Sequence, residues 1–263
     1  MAQWEKAEHR RGDFVSKAAK YRKSERIRFL KIAYIGTKDQ LAETFIERMN
    51  KEGNDVYFLS VRDFPRTISE RWKYRFYKIS LSGDNYRKTL QSIRPDWVVF
   101  AGTYFMDCVY QEKEEEDVTL LTRTLQILSD RKDVRFLLLS STEVYGKSAK
   151  KADEQQTVMP VGERGMRFVR EEQMLQLYGR QYGLYGAVIR ASSLYADQAR
   201  EGATDFLSRG FADVMAGKKG TVLVNDILQP LHTAELVEAE KRVMDSEKQG
   251  GYNAAGRFEI SRK

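Results

Sequence analysis

A carboxylate stands just beyond one of the most apolar stretches of the chain. The run Val134–Leu139 leads directly into the segment Ser140–Gly146, which places Ser141 and Glu143 at its end. A carboxylate at the end of a buried strand can act as a general acid or base. Alternatively, the strand ends in an ordinary turn and Glu143 is solvated. The residues themselves leave both interpretations open.

A glycine turn near the start of the chain is a second candidate site. Gly36 follows the apolar run Leu30–Ile35, and helical spacing of apolar residues begins at about Asp39. A glycine at a strand-to-helix turn lets the backbone approach a pyrophosphate, whose charge the helix N-terminus stabilises. Beside Gly36, the residues expected to contact a cofactor at this turn are Thr37, Gln40 and Leu41. Many such turns contain a glycine without binding any nucleotide.

The second predicted strand, Asp55–Leu59, is followed by Ser60 and Arg62. An acid is usual at this position when a dinucleotide's ribose hydroxyls are bound. A hydroxyl and a guanidinium suit a 2′-phosphate better than a bare ribose. If a dinucleotide binds, these two residues favour NADP over NAD. The alternative is an ordinary surface serine and arginine.

Composition and charge exclude several classes of protein. The single cysteine, Cys108, excludes an internal disulfide framework, and with only two histidines no His/Cys zinc set is possible. We therefore expect no metal. Neither a membrane-length apolar run nor a secretion signal is visible, so we expect a cytoplasmic protein with no membrane partner. Of the net charge of +7, residues 1–32 carry +6, which indicates a basic extension rather than a basic domain.

Alternation of strands and helices after this extension predicts an α/β fold. We expect a Rossmann-like, doubly wound parallel sheet flanked by helices, followed by a small, partial C-terminal substrate-side region. The expected boundaries are 1–29 for the basic extension, 30–200 for the Rossmann domain and 201–263 for the partial C-terminal region, for which truncation is one interpretation. Besides the strands already named, the predicted strands are Tyr74–Ile79, Trp97–Ala101, Gly186–Arg190 and Thr221–Val224. The predicted helices include Asn85–Ile93, Val118–Leu128, Gly165–Tyr182, Phe206–Ala216 and Thr233–Met244.

From about Lys31 to Ser261, the chain resembles the extended short-chain dehydrogenase/reductases, the NAD-dependent epimerase/dehydratase family that acts on nucleotide sugars. The segments that carry the resemblance are Ser82–Asn85, Pro95–Gly102, Ser140–Gly146, Ile189–Tyr195 and Tyr252–Gly256. The resemblance implies that Asp84 meets the adenine and that Ala101 and Gly102 lie under the cofactor. It also implies that Ser141 bonds the sugar hydroxyl being oxidised and that Glu143 matches a glutamate kept by dehydratases and decarboxylases.

Several positions depart from the family pattern. Asp39 and Ala42 replace the second and third glycines of the turn, and the carboxylate of Asp39 crowds and repels a pyrophosphate. Ser193 stands where the family has asparagine. The family reaction also needs Tyr-x-x-x-Lys on the helix after Ser141. Alignment of Gly165–Tyr182 places Met166 and Arg170 there, and neither is suited to acid–base work.

These departures leave three functions open. The favoured one is an NAD(P)- or nucleotide-sugar-binding domain with altered or lost catalysis, for which other domains of a longer chain are the expected partners. The alternative is an active epimerase or dehydratase that uses Ser141 and Glu143, with Arg170 at the ribose. A third is a structural domain with an empty cleft. The aromatic–basic stretch 72–78 fits a half-buried strand better than a nucleic-acid surface, so nucleic acid is not an expected partner.

Overall fold

The computed structural model describes residues 29–37, 39–62, 74–102, 114–146, 152–196, 210, 213–218 and 227–261. From Lys31 onward the chain forms one compact unit. The predicted strand Thr221–Val224, most of the predicted helix Phe206–Ala216 and nearly all of the basic extension lie outside the described residues. The boundary between the Rossmann domain and the C-terminal region therefore stays a prediction.

One parallel sheet of seven strands organises the described chain. In chain order its strands are β1 (Lys31–Gly36), β2 (Asp55–Ser60), β3 (Tyr74–Lys78), β4 (Trp97–Gly102), β5 (Arg135–Ser141), β6 (Tyr185–Ala191) and β10 (Gly250–Ala254). Their spatial order is β3-β2-β1-β4-β5-β6-β10. The pairs β7 (Leu194–Tyr195) with β9 (Leu231–His232), and β8 (Ile227–Leu228) with β11 (Ile260–Ser261), form two small separate sheets.

Five helices with defined bounds accompany the sheet in the described part of the chain. They are α1 (Gln40–Lys51), α2 (Asn85–Ile93), α3 (Glu114–Leu128), α4 (Glu163–Tyr182) and α5 (Thr233–Ser246). A 3-10 turn, Thr142–Tyr145, connects β5 to the segment before α4. Every residue of β4 is buried, as expected for a central parallel strand with both faces covered. This architecture confirms the predicted Rossmann-like α/β fold.

The direction of strand order reverses between β1 and β4, which pair side by side. In open parallel sheets, ligands bind beyond the carboxyl ends of the strands at this reversal. Gly36 ends β1 and Gly102 ends β4, and the two are register partners. A Cβ on Gly36 would lie only 3.2 Å from the carbonyl oxygen of Gly102. The glycine therefore lets the two strand ends approach closely.

No helix in the described part of the chain is both long enough and apolar enough to cross a membrane.

Candidate functional site

The end of β5 and the start of α4 form the first part of the site. Ser141 is buried, and its Oγ accepts a hydrogen bond from the backbone N–H of Glu143 at 3.2 Å. This bond starts the 3-10 turn and directs the chain out of the sheet. The side chain of Glu143 is 47% exposed, so its carboxylate stands at the surface of the turn rather than inside it. The structure thus places Ser141 and Glu143 side by side at the end of β5, and their chemical roles stay predictions.

Helix α4 begins against this turn and brings an arginine to Glu143. The Nε of Arg164 lies 3.4 Å from Oε1 of Glu143. Its guanidinium also lies over the ring of Phe168, 5.8 Å from the ring centroid. Because Arg164 and Phe168 are four residues apart, they share one face of the helix. Phe168 is buried. The helix face beside Glu143 therefore carries a partly exposed arginine and a buried phenylalanine.

Arg170 and Met166 lie on another face of α4. Successive residues turn by about 100° around a helix, and the buried positions follow one stripe that includes Gly165, Phe168 and Leu175. Met166 is 56% exposed and Arg170 is exposed, which places both roughly opposite that stripe. The structure does not bring Arg170 to Ser141 and Glu143. Its predicted contact with a ribose remains a prediction that this geometry does not support.

A buried hydrogen-bond network holds β5, β6, β10 and α4 together beneath the site. Arg190 makes two bonds to Glu172, Nε to Oε1 at 3.0 Å and Nη2 to Oε2 at 2.7 Å. The hydroxyl of Ser140 donates to the same Oε1 at 2.6 Å. Arg190 Nη1 also donates to the hydroxyl of Tyr145, which donates in turn to Asn253 Oδ1 at 2.8 Å. The pKa of Arg190 is raised, chiefly by its hydrogen bonds to Glu172. The arginine therefore stays charged.

A second buried ionic group lies behind the end of β4. Arg167 Nη1 donates to Asp117 Oδ2 at 2.5 Å and lies 3.8 Å from Glu171 Oε1. All three side chains are almost fully buried. A Cβ on Gly102, whose φ is +76°, would lie 3.1 Å from Asp117 Oδ2. The glycine thus allows β4 to end directly against this carboxylate.

The turn after β1 is closed by its own aspartate. Asp39 is the N-cap of α1, and its Oδ1 accepts the backbone N–H of Ala42 at 2.8 Å. The hydroxyl of Thr37 donates to Oδ2 at 3.4 Å. A pyrophosphate bound by a Rossmann turn occupies this same end of the helix. With a carboxylate already there, the turn as it stands does not fit a dinucleotide pyrophosphate.

The remaining predicted cofactor residues are spread along the carboxyl edge of the sheet. Leu41 is fully buried, so only its backbone is available to a ligand, while Gln40 is half-buried. Ser60 is buried at the end of β2, and its Oγ accepts the backbone N–H of Arg62 at 3.2 Å. Asp84 is exposed at the start of α2. Ala101 is buried at the end of β4.

Sequence reasoning missed Arg164 and the pair formed by Glu172 and Arg190. Two adjacent glutamates, Glu171 and Glu172, in the middle of a helix that must cover a sheet were the available signal. A charged residue at a buried helical position implies a buried partner. Within the described residues, no group of three or more His, Cys, Asp or Glu side chains is arranged to hold a metal.

The chain matches one protein family and several solved structures over most of its length. Residues 35–255 match the model of the NAD dependent epimerase/dehydratase family. Among solved structures, the chain is similar to a dTDP-glucose 4,6-dehydratase from Bacillus anthracis in complex with NAD. The identity is 16%, the TM-score is 0.74, and the match covers 88% of this chain and 77% of that one.

Two epimerases are similar to the same degree. A UDP-glucuronic acid 4-epimerase from Bacillus cereus in complex with NAD has 15% identity and a TM-score of 0.76, with 88% of this chain and 79% of that chain covered. A UDP-N-acetylglucosamine 4-epimerase from Methanobrevibacter ruminantium, in complex with UDP-N-acetylmuramic acid, has 12% identity and a TM-score of 0.75, covering 89% and 78%. No protein of curated function matches the chain by sequence.

Proposed function

Because this chain belongs to the NAD dependent epimerase/dehydratase family, we propose that it binds a nucleotide or nucleotide sugar and that its catalysis is altered or lost. The ligand-binding edge is the carboxyl edge of the sheet, between the turn after β1 and the turn after β5. The ligands bound in two of the similar structures, NAD and UDP-N-acetylmuramic acid, support this ligand class. They do so by likeness of fold, so the residues must carry the rest of the argument.

The observation that carries the proposal is the pair Arg164 and Phe168 at the start of α4. The family reaction needs a tyrosine and a lysine, four residues apart, facing the strand-end serine. In this chain the i, i+4 pair on that side of the helix is an arginine beside Glu143 and a buried phenylalanine. A guanidinium keeps its proton at any physiological pH, and a phenyl ring has none to give. Neither side chain replaces the tyrosine as a proton carrier.

The ion pair also supports binding without turnover. Arg164 and Glu143 are both partly exposed at the rim, where a guanidinium presents several donors in a fixed plane. Such a pair can bond the hydroxyls or phosphates of a nucleotide sugar. The carboxylate of Glu143 is already paired with Arg164 at 3.4 Å, so the two side chains hold each other in place. This arrangement favours holding a ligand over exchanging protons with it.

The alternative is an active NAD(P)-dependent epimerase or dehydratase that works through Ser141 and Glu143. One observation favours it: the structure places the serine hydroxyl and the glutamate together at the end of β5, with the carboxylate partly exposed. A preference for NADP, from Ser60 and Arg62, belongs to this alternative. Ser60 is buried and already bonded to the backbone of Arg62, so the preference depends mainly on the arginine.

Calorimetric titration of the purified chain separates the two proposals. The ligands are NAD, NADP and a panel of UDP-, GDP- and dTDP-sugars, each also tested for turnover by NADH or NADPH absorbance and sugar chromatography. We expect a nucleotide or nucleotide sugar to bind, with no turnover. A ligand at 100 times its Kd would stabilise the fold by about 2.7 kcal/mol, which thermal denaturation detects readily. If none of these ligands binds, the proposed function is wrong.

The variant Glu143→Gln provides the second arm, with Glu47→Gln as its control. Glu47 is a partly exposed glutamate of α1 that pairs with Lys51. If the chain is a binding domain, Glu143→Gln lowers its affinity for the nucleotide sugar and Glu47→Gln does not. Turnover in the unmodified chain that disappears in Glu143→Gln would establish the alternative.

A further inference from the structure

Asn253 of the edge strand β10 holds two separate segments with its side-chain amide and its backbone N–H. Its Oδ1 accepts the hydroxyl of Tyr145 at 2.8 Å, and its Nδ2 donates to the carbonyl oxygen of Ala152 at 3.3 Å. Its backbone N–H donates to Oε1 of Glu154 at 2.9 Å. Tyr145 belongs to the turn after β5, while Ala152 and Glu154 begin the segment 152–161, here called the strap, which leads to α4. One residue of the C-terminal strand therefore holds both segments that lead to the candidate site.

The directions of these hydrogen bonds are fixed by Arg190. A guanidinium only donates hydrogen bonds, so its Nη1, 2.6 Å from the hydroxyl of Tyr145, makes that oxygen an acceptor. The hydroxyl proton is then available for Asn253, which must turn its oxygen to the tyrosine and its NH₂ group to Ala152. An aspartate of the same shape could make the first bond but has no donor for the second.

The far end of the strap lies on the turn that carries Glu143. The N–H of Met159 donates to the carbonyl oxygen of Val144 at 2.9 Å. Gly146, whose φ is +67°, leaves room for the strap, since a Cβ there would lie 2.9 Å from Cγ2 of Val161 and would collide with the carbonyl oxygen of Met159. The strap is thus attached to β10 at one end and to this turn at the other.

Both members of the ion pair at the rim are placed by these attachments. Glu143 lies two residues before Tyr145 in the same 3-10 turn, and Arg164 follows the strap in the first turn of α4. Their side chains meet at 3.4 Å. Groups that bind a ligand by hydrogen bonds must be held within about 0.5 Å of the productive geometry by the residues around them. Asn253 supplies such support on both sides of the pair.

We infer that Asn253 is a positioning residue for the ligand-binding edge, acting through Tyr145 and the strap, and that it makes the C-terminal strand β10 part of that site. The inference rests on the proposed function, because it assumes that Glu143 and Arg164 bind the ligand. It adds that a residue 108 positions after Tyr145 in the chain sets their geometry. A purely structural residue would change the stability of the whole fold instead.

Amide hydrogen exchange in the unliganded protein tests the anchoring. Asn253→Ala removes the bonds to Tyr145 and Ala152, and should make the amides of Gly146 and Met159 exchange about tenfold faster. The amides of β1, which pairs with β2 and β4 away from these bonds, should change less. Equal acceleration at both places would mean a loss of global stability alone. That result, or unchanged exchange at Gly146 and Met159, would overturn the inference.

Calorimetry with UDP-glucose, GDP-mannose and dTDP-glucose gives the second readout. At a temperature where both chains are fully folded, Asn253→Ala should bind the probe that the wild type prefers on the order of tenfold more weakly. The control Tyr252→Phe removes a hydrogen bond to the backbone of Lys248 from the same strand, and should keep the wild-type affinity. A probe that binds Asn253→Ala as tightly as the wild type would overturn the positioning role and leave the proposed function intact.

The exposed residue Glu154 provides a second pair of variants should Asn253→Ala fail to fold. Glu154→Gln keeps an oxygen for the N–H of Asn253 and should show wild-type exchange and affinity. Glu154→Ala loses this bond and should show part of the effect of Asn253→Ala. Identical behaviour of the two Glu154 variants would overturn the role of the strap.

The two readouts also separate this inference from the proposed function. If Asn253→Ala speeds exchange at Gly146 and Met159 as expected while none of the three probes binds either chain, the anchoring holds and the ligand class of the proposed function is wrong.

Discussion

The backbone of Gly165 lies against the backbone of Glu143, so closely that a side chain would not fit between them. A Cβ on Gly165 would come within 2.7 Å of the carbonyl oxygen of Glu143 and 3.0 Å of the Cβ of Pro160. This contact fixes where α4 begins relative to the turn after β5. It is the reason that Arg164, one residue earlier, reaches the Glu143 carboxylate.

Replacing Gly165 with alanine should therefore separate α4 from this turn. We expect Gly165→Ala to lower the free energy of unfolding by about 1–3 kcal/mol, the usual effect of overpacking, and to weaken nucleotide-sugar binding. Urea denaturation measures the first effect and calorimetry the second. Gly162→Ala is the matched control, since nothing lies within 4 Å of a Cβ there and its φ is −117°. Equal losses in the two variants would contradict this account.

A second prediction concerns the buried ion pair of Glu172 and Arg190. Glu172→Ala leaves the Arg190 guanidinium buried without its two-point partner and removes the acceptor of Ser140. We expect a loss of about 3–5 kcal/mol in stability, typical of an uncompensated buried charge. Asp133→Ala, which breaks the exposed pair with Arg131, should cost no more than about 1 kcal/mol. Denaturation that fails to distinguish the two variants would show that the buried pair is not a structural centre.

Removal of the buried Glu240 should increase the stability of the protein, unlike removal of Glu172. Burial raises the pKa of Glu240, which means that the folded state binds a proton more tightly than the unfolded state does, so wild-type stability falls as pH rises above about 4.5. Glu240→Leu removes this dependence and should stabilise the protein by about 1–3 kcal/mol at pH 8, with a smaller gain at pH 5. Thermal denaturation across this pH range is the measurement. The control Glu238→Leu, at a partly exposed position of α5, should show no such gain.

Which face of α4 points towards the site can be tested by placing the family's tyrosine and lysine at two alternative pairs of positions. In the Asp39→Asn background, the double variant Arg164→Tyr and Phe168→Lys places tyrosine and lysine on the face towards Glu143. We expect at least a tenfold gain in NAD⁺ affinity, about 1.4 kcal/mol. Met166→Tyr with Arg170→Lys, on the opposite face, should leave NAD⁺ affinity unchanged. A gain in the second variant alone would show that the sequence alignment at Met166 and Arg170 was right.

The sheet could be predicted from sequence because its strands are short apolar runs that end at recognisable residues. Gly36 ends β1, and Pro95 separates α2 from β4. Asn85–Ile93 was predicted with the same bounds that the structure gives, since its apolar residues recur at helical spacing before a proline. Because both faces of a parallel sheet are buried, its strands appear in the sequence as short, nearly continuous apolar runs.

Which face of α4 is buried could not be predicted in the same way. Its buried stripe includes Arg167, Glu171 and Glu172, while the apolar Met166 and Leu177 are exposed. Hydrophobic periodicity points to the wrong face when the buried positions are charged and pair with groups that arrive from distant strands. The buried Glu240 was missed for a related reason, since acids on helices are usually solvated.

The edge strand β10 has a consequence for biosynthesis. It pairs with β6 and supplies Asn253 to the hydroxyl of Tyr145, yet it is synthesised after β6, with helix α5 between them in the chain. Until residues 250–254 emerge, the nascent sheet can complete every other strand pair but leaves the β6 edge open. An unpaired edge is a template for strands of other chains. For this protein, the interval between synthesis of β6 and synthesis of β10 is therefore a period in which an internal strand is exposed to misassembly.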